Sequence, residues 1–195
     1  SNEIEDGIFN NQTIFPEFGS VFIDKLITDE KQKRSLYQMD YILPFNKKSQ
    51  FELGYRGSFR DLLTDYRVSE LINSKNVLDL DKSNILNFKE YINAFYSQYG
   101  NKINKFSYLL GIRAESSNIT IDQRTTKQFK TKKYTDLFPT LNFSYEFNEK
   151  SSLTLGYSRR LRRPRSRFLN PFGSRISIAN AFQGNVDLNP SYSNT

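Results

Sequence analysis

The sequence has no cysteine, histidine or tryptophan among its 195 residues, and only one methionine. Without histidine or cysteine, the chain alone cannot build a Ser-His-Asp triad, a Cys-His pair or a zinc site with imidazole or thiolate ligands. Carboxylate pairs remain as acid-base candidates, but no spacing places Glu52 beside Glu115 or Asp40 beside Glu146. We therefore expect no enzyme activity, no metal site and no cofactor.

Long apolar runs are also missing. Mean hydropathy is −0.64, and no run approaches the roughly 18 apolar residues of a membrane-spanning helix. The first residues, Ser1 to Asp6, lack the basic and apolar regions of a signal peptide. If the protein is exported, we expect this sequence to be an interior piece of it.

Positive charge is concentrated in one short segment. Lysine and arginine total 28 against 21 acidic residues, and six arginines lie between Arg159 and Arg167. The rest of the chain is close to neutral, which argues against the broad basic face of a nucleic-acid-binding protein.

Aromatic residues are abundant, with 12 tyrosines and 17 phenylalanines, and they follow a strand period. Alternation is clearest at 50–60, where apolar and aromatic residues occupy one face and polar or charged residues the other. Residues 37–43 alternate similarly across a short polar link, which predicts an antiparallel hairpin. Two more hairpins are predicted by the alternation at 105–116 and by the pair 139–147 and 153–157. Residues 87–99, the predicted partner of 105–116, also fit helical spacing. We interpret them as a strand because the neighbouring segments are strands.

The connections alternate in length. Short turns lie near residues 47, 102 and 149, whereas the links at about 61–86, 117–135 and from 161 onward are long and polar. Outer-membrane barrels combine short turns on one side, long loops on the other and apolar-out/polar-in strands. Aromatic residues near the strand ends suit interfacial girdles: Tyr41, Phe45, Tyr99, Phe106, Tyr145 and Phe147 by the short turns, and Phe59, Tyr134, Phe138 and Tyr157 by the long links. A soluble β-sandwich remains the alternative, because it also alternates and has regularly spaced turns.

Several stretches, taken together and in this order, resemble the outer-membrane β-barrel family of TonB-dependent receptors found in Bacteroidota. They are Gln38-Met-Asp-Tyr-Ile-Leu-Pro44, Phe51-Glu-Leu-Gly-Tyr-Arg56, Lys89-Glu-Tyr-Ile-Asn-Ala-Phe-Tyr96, Leu110-Gly-Ile-Arg-Ala-Glu115, Phe138-Pro-Thr-Leu141, Tyr157-Ser-Arg-Arg-Leu-Arg-Arg-Pro164 and Leu169-Asn-Pro-Phe172. The final stretch, 184–190, is similar to a Gly-Asn-Pro element of the family, with Val186 in place of the proline.

The resemblance implies an all-β fold, an antiparallel up-and-down transmembrane β-barrel, of which this chain would supply a fragment of about six strands. Residues 1–195 would belong to one barrel domain, with an outer loop and strand end at 1–33, three hairpins at 34–160 and a long outer loop at 161–195. It also implies a receptor of the bacterial outer membrane that imports an extracellular solute. Its partners would be outer-membrane lipid, a plug domain and TonB complex outside this sequence, and an unidentified small-molecule, glycan or peptide ligand. An adhesin or assembly component without transport is the alternative function.

Two groups of residues are candidates for contact with a ligand or plug. If the apolar faces meet lipid, the following residues would line the lumen: Asp40, Glu52, Arg56, Arg60, Arg113, Glu115, Asn142, Glu146 and Arg160. Their other interpretation is a solvated wall with cross-strand ion pairs worth at most about 1 kcal/mol each. The second group could bind an anion bidentately or pin the loop to the wall: Arg159, Arg162, Arg163, Arg165 and Arg167.

Overall fold

The computed structural model describes residues 2–14, 19–72, 74–175 and 181–195. The chain forms strands almost throughout: β1 (Asn2–Ile14), β2 (Gly19–Asn46), β3 (Ser49–Ile72), β4 (Lys75–Ile103), β5 (Phe106–Gln123), β6 (Gln128–Asn148), β7 (Ser151–Arg162), the helical turn α1 (Ser166–Leu169), β8 (Ser174–Arg175), β9 (Ala181–Phe182) and β10 (Ser191–Asn194). Within these ranges no helix is long and apolar enough to cross a membrane.

Eight strands form one antiparallel up-and-down sheet in the order β1-β2-β3-β4-β5-β6-β7-β10, and β8 pairs with β9 separately. This confirms the predicted fold class, and β1 and β10 add to the six strands expected from the sequence. Residues 87–99 lie within β4, so their interpretation as a strand is confirmed. In the described ranges β1 and β10 are not paired with each other, and the sheet is open between them.

The short turns lie where the sequence predicts them, but the predicted long loops are largely strand. Two-residue turns follow Asn46, Ile103 and Asn148. The prediction of loops at about 61–86 and 117–135 is wrong, because β3 continues to Ile72 and β5 to Gln123 before each chain reverses. The β3–β4 and β5–β6 hairpins therefore extend from the side opposite the short turns. Residues 1–33, expected to hold a loop and a strand end, contain β1 and the first half of β2.

The two faces of the sheet differ in chemistry. We call the face that carries Leu53 and Phe95 the outer face, and the face that carries Asp40 and Glu52 the inner face. Large apolar side chains on the outer face that are between 45% and 72% exposed include Met39, Tyr41, Leu53, Phe95, Ile112, Leu137 and Leu155.

Aromatic rings connect neighbouring strands across the outer face. Ring centroids lie 4.9 Å apart for Tyr55 and Phe95, and 5.6 Å apart for Phe59 and Tyr91. Such cross-strand aromatic contacts stabilise a sheet. Two of the predicted girdle residues do not belong here: Tyr134 and Phe138 lie on the inner face and are half-buried and buried, respectively. Strand alternation explains this, since both have the parity of Thr140 and not of Leu141.

The chemistry of both faces inverts along the strands beyond Phe59. Asp61 accepts a hydrogen bond from the Tyr91 hydroxyl at 2.9 Å on the outer face, and further along that face Asp65 pairs with Arg67. On the inner face the same stretch becomes apolar. The buried cluster there comprises Leu62, Leu86, Phe88, Ile119 and Ile121, from β3, β4 and β5.

The segment after β7 folds back against this apolar part of the inner face. We call residues 163–175 and 181–190 the return segment. Its Leu169, 1% exposed, completes the cluster around Phe88, with Val186 packed beside it. Its Phe172 joins a second cluster with Leu26, Tyr66 and Val68. The hydrophobic core thus lies between the sheet and the return segment.

Backbone contacts hold the return segment together. The Gly184 amide donates to the Asn170 carbonyl at 2.7 Å, and the Asn185 amide donates to that of Phe168 at 2.8 Å. A Cβ on Gly184 would lie 2.6 Å from both carbonyl oxygens, so glycine is needed for this approach. Asn185 then closes a tight turn, because its side-chain oxygen accepts from the Asp187 amide at 2.8 Å. The turn forms with Val186 at its centre.

Lysines of β6 fix the end of the return segment. Lys130 lies 2.9 Å from Asp187, and the Lys132 ammonium donates to the Leu188 carbonyl. The hydrogen bond from Lys130 lowers the pKa of Asp187, while burial lowers the pKa of Lys132.

Candidate functional site

A row of side chains in contact crosses the inner face from β2 to β5. Asp40, Gly54 and Tyr96 are neighbours in register, and the Tyr96 hydroxyl donates to the Asp40 carboxylate across β3. A Cβ at Gly54 would lie 2.1 Å from the Tyr96 ring, so the missing side chain gives the ring its path. On its other side, the guanidinium of Arg113 lies 5.9 Å from the Tyr96 ring centroid.

Next to this row, Glu115 accepts hydrogen bonds from two arginines. Arg113 Nε donates to it at 2.7 Å, and the Arg163 guanidinium pairs with its other oxygen. Arg163 also donates to the Ser117 hydroxyl at 2.9 Å. The side chains of Glu115 and Arg163 are only 12% and 17% exposed, so this ion pair is largely removed from water. It attaches the start of the return segment to β5.

The other predicted lumen residues also lie along the inner face, mostly in separate local contacts. Glu52 accepts a hydrogen bond from Gln98 at 2.5 Å, and Arg60 donates to Gln32 at 2.8 Å. Glu146 pairs with Lys102 at 2.7 Å beside the short turns, where both side chains are more than 40% exposed. The remaining three are Arg56, Asn142 and Arg160. Arg56 and Tyr96 line the same cavity, Asn142 lies beside Gly156, and Arg160 is exposed.

The arginines between 159 and 167 separate into two sets. Three have partners. The guanidinium of Arg159 lies 4.8 Å from the ring centroid of Tyr192, and that of Arg167 lies 4.7 Å from the ring centroid of Phe182. Arg163 forms an ion pair with Glu115. The side chains of Arg160, Arg162 and Arg165 have no ion pair, hydrogen bond or ring contact with any residue that the structure describes.

Two adjoining cavities meet at Arg163. One, of about 400 Å³, is lined by Arg113, Glu115, Phe138, Thr140, Ser158, Arg159, Arg160, Leu161 and Arg163. The other, of about 630 Å³, is lined by Arg162, Arg163, Pro164, Arg165, Phe168, Asn189 and Ser191. Together they are lined by five of the six clustered arginines. In the described ranges, no group of three acidic residues could hold a metal ion.

Tyr96 and Ser117 also contribute to this site, although neither is among the site residues predicted from the sequence. Alternation along β4 and β5 could have placed each on the inner face, at the level of Asp40 and of Glu115. No feature of the sequence indicates that Arg163, beyond the end of β7, turns back to reach them.

Comparison with known families decides the class. The model of the outer membrane protein beta-barrel family matches residues 1–195. The chain belongs to this family. No curated protein matches it.

As a member of this family the chain is located in the bacterial outer membrane, and its outer face meets lipid. A strand crosses a bilayer in about 9–11 residues, whereas β3 has 24 residues and β4 has 29. The outer face is apolar and aromatic from Phe51 to Phe59, and from Asp61 onward it carries charged residues among the apolar ones, as at Asp65 and Arg67. This change places the membrane next to the short turns. The remainder of β3 and β4, with the return segment behind them, projects beyond the bilayer.

An arginine on the outer face tests this placement. Ile112, 51% exposed within the apolar band, should tolerate arginine poorly, since a cation near the bilayer midplane costs about 2–4 kcal/mol. We expect Ile112→Arg to lower the free energy of unfolding of the full-length protein in lipid vesicles by that amount. Urea titration, with folded protein scored by its gel mobility without heating, measures the change.

The matched control is Gln98→Arg. Gln98 lies opposite Gly111 on the inner face, one row from Ile112, and an arginine there can bind Glu52. We expect a change below about 1 kcal/mol. Equal losses in the two variants would contradict the assignment of faces.

Proposed function

We propose that this chain forms part of the barrel wall and the outer hairpins of a TonB-dependent receptor that imports a scarce extracellular solute. Ligand capture would occur at the outer hairpins and return segment, and energy from TonB would rearrange a plug domain outside this sequence. Ferric siderophores, glycans, peptides and cobalamin are the solute classes to test. In this role the chain itself carries out no catalysis.

The observation that supports this proposal most is the inner-face network of Asp40, Tyr96, Arg113, Glu115 and Arg163. It joins side chains from β2, β4 and β5 to the return segment through hydrogen bonds, ion pairs and one cation–π contact. A transporter needs an ordered polar wall. The polar groups of such a wall can bind water, the plug or a passing solute in turn. An adhesin requires only ordered outer hairpins.

The alternative, an adhesin or assembly component without transport, has one observation in its favour. The tip of the β3–β4 hairpin exposes several apolar side chains: Leu71, Ile72, Val77, Leu78 and Leu80. Exposed apolar patches often mark contact surfaces.

Competitive growth separates the two functions. A strain lacking the gene is grown against its parent on limiting amounts of each solute class, in backgrounds with and without TonB. Transport predicts reduced fitness on one class when TonB is present and no further reduction when TonB is absent. Normal growth on every class, together with reduced attachment to surfaces, would support the adhesin and reject the transporter.

A further inference from the structure

The cavity between the end of β7 and the return segment is lined by two arginines whose side chains have no partner in the described part of the chain. They are Arg162 and Arg165, and neither side chain has an ion pair or hydrogen bond with a described residue. None of its lining residues is acidic. Glu115, the carboxylate of the adjoining cavity, already binds Arg113 and Arg163. The positive charge of this cavity is therefore uncompensated by the described part of the chain.

The wall of the cavity is built from ordered structure. Arg162 is in register with Ser191 in the pairing of β7 with β10, which brings the two side chains to the same face. Pro164 restricts the backbone between Arg163 and Arg165. Further along, Leu169 is buried in the core and anchors the segment that carries Arg165.

Guanidinium groups of like charge on one cavity wall favour bound anions. Each offers a planar set of donors suited to oxyanions, and the rigid backbone limits how far Arg162 and Arg165 can separate to relieve their repulsion. Asn189 and Ser191 add neutral donors on the same cavity wall. A carboxylate offers two acceptor oxygens and one negative charge, whereas a phosphate monoester offers three terminal oxygens and up to two charges. The donor set thus fits phosphate better than carboxylate.

We propose that this cavity, lined by Arg162, Arg163, Arg165, Asn189 and Ser191, is a binding site for a phosphate group. The phosphate could belong to a soluble phosphorylated solute or to a lipid A headgroup. The position of Arg162 on the inner face, with the same parity as Ser158 opposite Thr140, favours the soluble solute. The site goes beyond the proposed transport function, because a receptor and an adhesin could each use it.

The test uses the full-length protein in detergent and two pairs of probes. Glucose 6-phosphate is compared with glucose by titration calorimetry, and mixed micelles with lipid A are compared with micelles of its dephosphorylated form. We expect the phosphorylated member to bind more tightly in at least one pair. Binding of the sugar phosphate would identify a soluble ligand, and binding of lipid A alone would identify the lipid.

The double substitution Arg162→Gln and Arg165→Gln should weaken that binding at least tenfold, because it removes two charged donors. Increasing NaCl should weaken binding to the wild type more than to the variant. The control substitutions Arg124→Gln and Lys133→Gln remove the same charge from the β5–β6 hairpin. We expect them to change affinity less than twofold.

A second arginine variant tests the proposal even if the double glutamine variant does not fold. Arg162→Lys with Arg165→Lys keeps the charge and loses the planar donors, so we expect weaker binding with an unchanged unfolding midpoint. Three results would each overturn the proposal: equal binding of phosphorylated and unphosphorylated probes, full affinity in both arginine variants, or an equal loss in the hairpin control.

Discussion

Replacing Glu115 by glutamine is expected to lower the free energy of unfolding by about 3 kcal/mol, because it leaves the largely buried Arg163 without its counter-charge. Glu115 also binds Arg113, so one substitution affects both arginines. The change can be measured as a lower urea midpoint of the full-length protein in lipid vesicles, at an unchanged slope. Trypsin should also cleave the return segment faster, at Arg165 and Arg167, because its attachment to β5 is weakened.

Glu146→Gln is the matched control for this prediction. Glu146 also forms an ion pair, with Lys102, but their side chains are 47% and 43% exposed. An exposed pair contributes at most about 1 kcal/mol. If the two glutamine variants lost the same stability, burial of the Glu115 pair would not be what makes it strong.

Strand pairing on the membrane side could be predicted from the sequence because one physical rule governs it. Each strand there has lipid on one face and a polar interior on the other, so apolar residues recur at every second position, as from Phe51 to Phe59. The short turns follow from the polar links between such runs. These two patterns suffice for the order and direction of β2 to β7.

The extensions of the hairpins could not be predicted in the same way, because the alternation changes phase. Leu62, Tyr66 and Val68 are apolar at positions that face inward, whereas Leu53 is apolar at a position that faces lipid. Beyond the bilayer the outer face meets water and the inner face meets the return segment. If the alternation is assumed to keep one phase, residues 61–86 show no consistent apolar face, and a loop is predicted there.

The candidate site depends on the same unpredicted packing. Charge count alone identifies the arginine cluster, but it assigns the same role to Arg163 and Arg165. The packing of the return segment gives these two residues different roles. Arg163 forms an ion pair with Glu115, whereas Arg165 lines the cavity. This difference depends on the long-range contacts of Leu169 and Phe172. The sequence around these two residues is short and has no period, so it does not indicate which face of the sheet the segment packs against.

The position of Leu169 makes it the most sensitive apolar residue of the return segment. Its side chain is 1% exposed between strands β3, β4 and β5. Leu169→Ala should lower the free energy of unfolding by about 3 kcal/mol, from lost burial and the cavity that remains. The urea midpoint in vesicles measures this loss. Because the core joins the return segment to the sheet, cleavage by trypsin at Arg165 and Arg167 should accelerate as well.

Leu188→Ala removes the same atoms from a site that is 40% exposed in the same segment. Its contact with Lys132 is through the backbone carbonyl and is retained. We expect a change within about 0.5 kcal/mol and unchanged cleavage. Faster cleavage of Leu169→Ala without loss of stability would mean that the return segment is anchored to the sheet but adds little to its folding. Loss of stability without faster cleavage would mean that the Glu115 pair alone holds the segment in place.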